Sequence, residues 1–466
     1  LLLILAVAGA WAAGMEIHAA ADQVTLTRRE LYGEADAARG LTLTLHSAYR
    51  NRLLWTTTAD AQGALETQFT AFPAQAGAEV AVSSYSGLEM YTQVDLGVDP
   101  SDGTTLPGLD SALEELSAAT PNGQEVERTI YLRDYLDYYP LSLQLDLPGC
   151  WQMLDDLLRR CDHLSLQEQQ AARDLTALAG HFKIPVLEEE RCTLSLGKGE
   201  DGRAWHWGIS SAEGDSYSMW TVSAVTSDTC YFTFTTLTQE GKVVDTGELS
   251  LGYGIYRLPY ELDEFGVARP LVEDLELVYP LEPGVQILNL QASPDESRLL
   301  LHTGEDGRYL LTVVDPATRS AVQILDVAPY DPDSGSRLYS QGAFLGAVLE
   351  GDTLAVITLE PDGSCELAHL WDAWPPERED LAFSTWNLAL DYDGDRLALA
   401  GILDDEEGHQ WDTCNYFLAV YQGEGLAYYG EYRNSLYTAG QDLESYEYAC
   451  RSRYATPLEL AWAENP

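Results

Sequence analysis

The sequence has 466 residues, with 75 Asp and Glu against 26 Lys and Arg and a formal charge of -49 at neutral pH. Charge of this size and sign repels phosphate backbones and anionic headgroups over a Debye length of about 8 Å, which argues against nucleic acid as a partner and leaves membrane attachment to an apolar segment. The length admits two or three ordinary domains, or one large domain built of repeats.

Residues 1–15 carry no charge, and Ala19-Ala20-Ala21 before Asp22 has the small residues of a signal-peptidase site. Residues 1–21 therefore read as a signal peptide or a membrane anchor, and the protein as extracytoplasmic, either anchored or secreted. No polar face interrupts the run, as a buried amphipathic helix would require.

Residues 22–148 form an N-terminal β region. Leu41, Leu43 and Leu45 alternate with Thr42, Thr44 and His46, a period of two that predicts a strand. Leu53 to Thr58, a polar connection holding Gly63, and Ala64 to Phe72 predict a hairpin, with shorter strands at Val80 to Val82, Met90 to Val94 and Thr129 to Leu132. Over 149–184 the period changes. Trp151, Leu154, Leu157, Leu158 and Cys161 recur at helical spacing, and Ser165-Leu166-Gln167-Glu168 has the form of a capping box opening a second helix that Pro185 stops. This helical hairpin is followed by a central β region, 185–283, with strands at Cys192 to Leu196, Ala204 to Ser210, Ser218 to Ala224, Thr229 to Leu237 and Lys242 to Leu251. The stretch from Leu258 to Pro283 reads as a connector holding one strand, Leu275 to Tyr279.

From 284 to 466 one grammar recurs, in which an acidic turn and a polar residue open a β-rich run on Leu. It appears as Ser293-Pro294-Asp295-Glu296-Ser297-Arg298-Leu299, as Glu350-Gly351-Asp352-Thr353-Leu354 and as Tyr392-Asp393-Gly394-Asp395-Arg396-Leu397. The three leucines are 55 and 43 residues apart, near the length of a propeller blade. The Ser-Pro-Asp turn with Arg298-Leu299-Leu300-Leu301 resembles the blade turn of TolB-type and WD-repeat-like β-propellers over about residues 285–435. The second repeat lacks the Pro, and none carries the Gly-His and Trp-Asp pair of true WD repeats. The resemblance implies a mainly β, propeller-like architecture. Three repeats cannot close a ring, so the earlier β regions are expected to bring the count to about seven blades, with a helical hairpin inserted. The rival arrangement is a separate N-terminal β domain, the helical pair and a smaller C-terminal sheet domain.

Motifs for chemistry are few. His-Glu-x-x-His, a Walker loop, G-x-S-x-G and G-x-G-x-x-G are all missing, so no cofactor is expected. Asp391-Tyr392-Asp393-Gly394-Asp395 resembles a calcium loop, but counting from Asp391 the sixth residue is Arg396 and the twelfth is Ile402, which cannot coordinate a cation, so no metal site is expected. The seven cysteines form no C-x-x-C pair and read as mostly buried thiols. Aromatic residues supply the binding candidates, since 27 Tyr and 11 Trp combine apolar area with a polar handle. Trp205 and Trp207 should share one face of a strand with His206 on the other, and Trp371 and Trp374 should lie in a loop beside Pro375-Pro376. These features together read as a membrane-tethered, non-catalytic binding protein for a protein or glycan ligand. A glycan-active hydrolase using paired carboxylates and a structural surface protein are the alternatives, and the oligomeric state is left open.

Overall fold

The computed structural model describes residues 14–15, 25–49, 53–60, 65–71, 86–92, 96–98, 109–159, 164–211, 215–332, 337–339, 345–350, 352–373, 388–403, 416–434 and 458–463. The leader, the predicted strand at Val80 to Val82 and the loop Asp404 to Gly408 lie outside them, apart from residues 14 and 15. Two compact units divide the chain: Leu1–Ser83 with Asp331–Glu360 and Cys365–Pro466, and Ser84–Tyr330 with Pro361–Ser364.

The first unit holds three antiparallel sheets. One has β2 (Leu41–Tyr49), β3 (Leu53–Asp60) and β4 (Leu65–Ala71) in sequence order, with the C-terminal strand β29 (Leu458–Trp462) added beside β2. A second has β25 (Ala389–Tyr392), β26 (Leu397–Ile402), β27 (Tyr416–Gln422) and β28 (Gly425–Asn434), with the N-terminal strand β1 (Leu26–Gly33) added beside β28. The third is β21 (Arg337–Tyr339), β22 (Gly346–Glu350), β23 (Thr353–Leu359) and β24 (Cys365–Asp372). Each end of the chain thus completes a sheet begun at the other end.

Packing explains why β27 reads as an unbroken apolar run. A strand covered on both faces needs apolar residues at every position. Tyr416, Leu418 and Val420 pack with Leu41, Leu43, Leu45 and Leu460, whereas Phe417, Ala419 and Tyr421 pack with Leu354, Val356 and Trp371. The β25–β28 sheet is therefore the middle layer of three.

One side chain fastens the C-terminal strand. Arg396 donates through Nε and Nη2 to one carboxylate oxygen of its turn, Asp393 Oδ2, at 2.9 and 2.7 Å, and through Nη1 to the carbonyls of Ala37 and Arg39 at 3.0 Å each. Its guanidinium also lies 3.8 Å from the ring centre of Trp462, whose backbone N–H donates to Asp391 Oδ2 at 2.7 Å.

The second unit holds four sheets. The repeat sheet is β17 (Gln286–Ala292), β18 (Leu299–Glu305), β19 (Arg308–Asp315) and β20 (Ser320–Pro329), four consecutive strands laid side by side. Next are β12 (Thr221–Val225), β13 (Thr229–Phe234) and β14 (Gly254–Leu262), which β15 (Ala268–Pro270) and β16 (Glu276–Pro280) extend. A three-stranded sheet of β5 (Gly87–Thr92), β8 (Leu141–Leu147) and β9 (Cys150–Met153) follows, and a last one has the order β6 (Leu96–Val98), β11 (Ala204–Ser211), β10 (Arg191–Lys198), β7 (Glu125–Tyr131).

The turn predicted from Ser293 to Arg298 has the expected closure. Asp295 Oδ1 accepts from Ser293 Oγ at 2.6 Å and from Ser297 N–H at 3.1 Å, and Ser293 Oγ accepts the N–H of Arg298 at 3.0 Å. The hydroxyls of Ser293 and Ser297 hold the Asp295 carboxyl down at about 2. Leu299, Leu354 and Leu397, the three residues that open the repeated runs, are all fully buried.

Helix α1 (Asp110–Ala119) was not foreseen, although Ala112, Leu113 and Leu116 give it one buried side. The first predicted helix starts late: Cys150–Met153 is strand β9, with Cys150 buried and Trp151 exposed, and α2 covers only Leu154–Arg159. Helix α3 (Leu166–Ala179) carries the capping box, with Glu168 N–H donating to Ser165 Oγ at 3.2 Å and Ser165 N–H to Glu168 Oε2 at 2.8 Å. The strand expected at Lys242 to Leu251 is replaced by turns, and the expected connector holds β14, where Pro259 sits opposite Thr229. Cys150, Cys192, Cys230 and Cys365 are buried thiols that take part in no disulfide.

Candidate binding face

The site is built on the sheet of β7, β10 and β11. Leu194 and Leu196 on β10 and Ile130 on β7 turn one face into the core of this unit. Directly opposed residues in antiparallel strands share a face. The other face is therefore made by Glu125, Glu127, Thr129 and Tyr131 of β7, Arg191, Thr193, Ser195 and Gly197 of β10, and His206, Gly208 and Ser210 of β11. All three β7 residues from Glu125, Glu127 to Thr129 are exposed, and Thr193, Ser195 and His206 are half-buried.

A register shift between Gly197 and Lys198 changes the face at one end. A bulge adds a residue to one strand and re-aims its side chain. Here it lays Trp205 on the open face: a Cβ at Gly197 would stand only 2.5 Å from the indole, so the ring rests directly on the glycine. Trp205 is nonetheless 60% exposed, and its ring lies 5.7 Å from that of His206. The expectation that His206 and Trp205 take opposite faces is corrected accordingly. Trp207 holds the register position opposite the core residue Leu196, and its side chain is outside the described residues. His206 Nε2 and Ser195 Oγ are 3.3 Å apart, over Gly208, where a Cβ would stand 2.9 Å from the Ser195 hydroxyl. Thr129 and Thr193 join hydroxyls at 3.3 Å. From Gly197 to Arg191 the face runs about 20 Å along the strand.

At its far end the face meets a cavity of about 550 Å³ lined by Tyr131, Leu187, Glu189, Glu190, Arg191, Asp215, Glu240, Gly241 and Lys242. Glu190 is only 3% exposed, and Tyr139 donates its hydroxyl to Glu190 Oε2. Asp215 braces the rim, its two carboxylate oxygens accepting from Thr238 Oγ1 at 2.8 Å and from Glu240 N–H at 3.1 Å. Glu189, Glu240 and Lys242 are exposed, and Tyr131 shows 51% of its surface.

Of the other aromatic candidates, Trp371 belongs to a different sheet. Trp371 is on β24, 4% exposed, stacked 4.5 Å from His369 and 5.6 Å from Tyr421, and its indole N–H donates to the carbonyl of Gly423 at 2.9 Å. It packs a core rather than lining a loop. Trp374 lies outside the described residues. The aspartates 391 to 395 form a turn closed by Asp393 accepting from the N–H groups of Asp395 and Arg396, and among the described residues no group of three or more His, Cys, Asp or Glu is placed to hold a metal ion.

Seven antiparallel sheets of three to five strands carry the described chain, and five of them are built mainly from neighbours in sequence. It is a mainly β protein of antiparallel sheets. Among solved structures it is similar to a putative 6-phosphogluconolactonase from Bacteroides uniformis (11% identity, 84% of this chain and all of that one, TM-score 0.27) and to TolB from Acinetobacter baumannii (10% identity, 92% and 85%, TM-score 0.21). It is also similar to the uncharacterized protein lmo1340 from Listeria monocytogenes (13% identity, TM-score 0.21), where the match spans 44% of this chain and half the length of that protein. At these scores the likeness says nothing of what this chain binds. No protein-family model and no curated protein matches the sequence.

Proposed function

We propose that the protein is an extracytoplasmic, membrane-tethered and non-catalytic binding protein whose ligand is a glycan lying along the open face of the β7–β10–β11 sheet. The observation that carries this reading is Trp205, an indole set against Gly197 with 60% of its surface exposed. Sugar rings present a C–H face that stacks on such a ring and hydroxyls that need polar partners beside it. His206, Ser195, Thr193 and Thr129 follow from the ring in a row, and their 20 Å or so would hold about four sugar units in extended form. The apolar leader supports export, through its lack of charge and the small residues at 19–21.

Binding is favoured over hydrolysis by the way the cavity carboxylates are used. Asp215 holds a turn together and Glu190 holds Tyr139, whereas acid and base catalysts must face the scissile bond. The test is calorimetric titration of the full chain with soluble neutral tetrasaccharides, and again with Trp205→Ala. Binding that weakens about ten-fold in the variant supports the reading. Turnover of the sugar that a single carboxylate substitution abolishes overturns it.

A further inference from the structure

We infer that the outer edge of β7 takes up an extended, basic segment of a protein partner as an added strand. The inference goes beyond the glycan reading and does not depend on it. β7 ends its sheet, and among the described residues its one strand neighbour is β10. The hydrogen bonds at its two ends fix which backbone groups face that neighbour. Leu132 N–H donates to the carbonyl of Glu190 at 3.0 Å and Lys198 N–H to that of Gln124 at 2.9 Å, one pair beyond each end of the register in which Tyr131 faces Arg191 and Glu125 faces Gly197. Hydrogen-bonded and non-hydrogen-bonded pairs alternate along an antiparallel ladder, so the even-numbered residues from 124 to 132 direct their backbone groups at β10. Glu125, Glu127, Thr129 and Tyr131 therefore each turn an N–H and a C=O away from the sheet, and none of these groups has a partner among the described residues. The row is about 20 Å long and its register is unbroken. Such a row is the template on which strand addition works.

Charge selects the occupant. The same four residues lay their side chains on the open face, where Glu125 and Glu127 are exposed and enter no ion pair among the described residues. Arg128, on the other face, is already engaged by Glu115 at 3.1 Å. Side chains directly opposite on an added strand stand about 5 Å away, so Lys or Arg at alternate positions complements the two glutamates, and Asp or Glu there is repelled. Between those positions an apolar residue meets Val126, half-buried against the core. A second copy of this chain is disfavoured by the formal charge of -49, which drives two copies apart and draws a cationic segment in.

The experiment titrates the full chain with fluorescently labelled peptides of about eight residues in which Lys alternates with Val or Thr, beside the same peptides with Glu in place of Lys. The Lys peptide should bind about ten-fold tighter or more, with the gain shrinking at high salt. Only alternate amides of an added strand face β7, so N-methylation of one alternate set should weaken binding about ten-fold and methylation of the other set should leave it unchanged. Glu125→Gln with Glu127→Gln, at two exposed positions, should bring the Lys and Glu peptides to nearly equal affinity. Thr129→Pro removes an outward N–H that the ladder does not use, and should abolish binding with little change in melting temperature. If that variant fails to fold, the two methylated sets still decide. Absence of binding, equal affinity of the Lys and Glu peptides for the parent chain, or equal loss from both methylated sets overturns the inference. A dimer in sedimentation that Thr129→Pro splits also overturns it, by assigning the edge to a second copy.

Discussion

Gly197→Ala is the substitution that most sharply separates binding from stability in this chain. The added methyl would stand 2.5 Å from the Trp205 ring, against about 3.5 to 4 Å for an ordinary carbon contact, so the indole must retreat by about 1 Å or more. The ring edge is the flexible partner and is already 60% exposed, so it moves rather than the strand. One face of an indole is about a quarter of the roughly 200 Å² that a Trp can bury, and at about 25 cal/mol per Å² its contact with a ligand contributes about 1.2 kcal/mol. Loss of that contact lowers affinity by about eight-fold. Folding responds in the other direction, because Ala loses less backbone entropy than Gly in a strand, a gain of about 0.5 to 1 kcal/mol. Denaturant unfolding followed beside a tetrasaccharide titration reads both quantities on the same sample. An unchanged affinity in Gly197→Ala, with an unfolding midpoint equal to or above that of the parent, would refute the platform.

Three further outcomes are expected. Arg396→Ala removes a charged pair, two carbonyl contacts and a stacked ring from the seat of β29, which should cost about 2 to 3 kcal/mol and expose Trp462, seen as a lower melting temperature and faster proteolysis near residue 460. His302 is wholly buried with neither ring nitrogen bonded, and burial lowers its pKa to about 3. Its unfolded form takes up a proton first, so stability should fall as pH drops below about 6.5, by about 1.4 kcal/mol per unit, and His302→Leu should flatten that slope in denaturation curves at pH 7 and 5. Asp295 should titrate near 2 by NMR. Its depressed value means that the turn's support is complete above the ordinary carboxylate range and is lost as pH falls toward 2, and Ser293→Ala should raise the midpoint.

Much of the fold was legible in periodicity. Leu299, Leu354 and Leu397 were marked by the turns before them, and all three open buried strands. Ser165 and Glu168 announced a helix start because a capping box is local chemistry. What escaped depended on partners distant in sequence. Pro259 disguised β14, since a strand tolerates proline only where no ladder donor is needed, and that is decided by the neighbour. Cys150 to Met153 carried a helical spacing that its actual partner, β8, overrode. The candidate face was half legible: Trp205 was picked out, but strict alternation put it on the face of Trp207 and opposite His206, because a bulge leaves no mark in a pattern of hydrophobicity. The available signal was the pair Gly197 and Gly208, since glycine within a strand often marks a close approach. Trp371 was misplaced because its neighbours Pro375 and Pro376 suggested a loop, while β23 and Tyr421 claimed the ring for the core.

The pairing of β1 with β28 and of β29 with β2 also sets an order of events during synthesis. Leu26 must wait for Asn434 and Leu45 for Leu458, so the first unit cannot finish until nearly the whole chain has been made. The repeat sheet at 286–329, in contrast, has every partner within its own short span and can form as it emerges. A ribosome-bound intermediate would thus carry one assembled sheet and one set of unpaired edges. Loss of residues from either terminus would leave it in that condition permanently, open to pairing with another copy of itself.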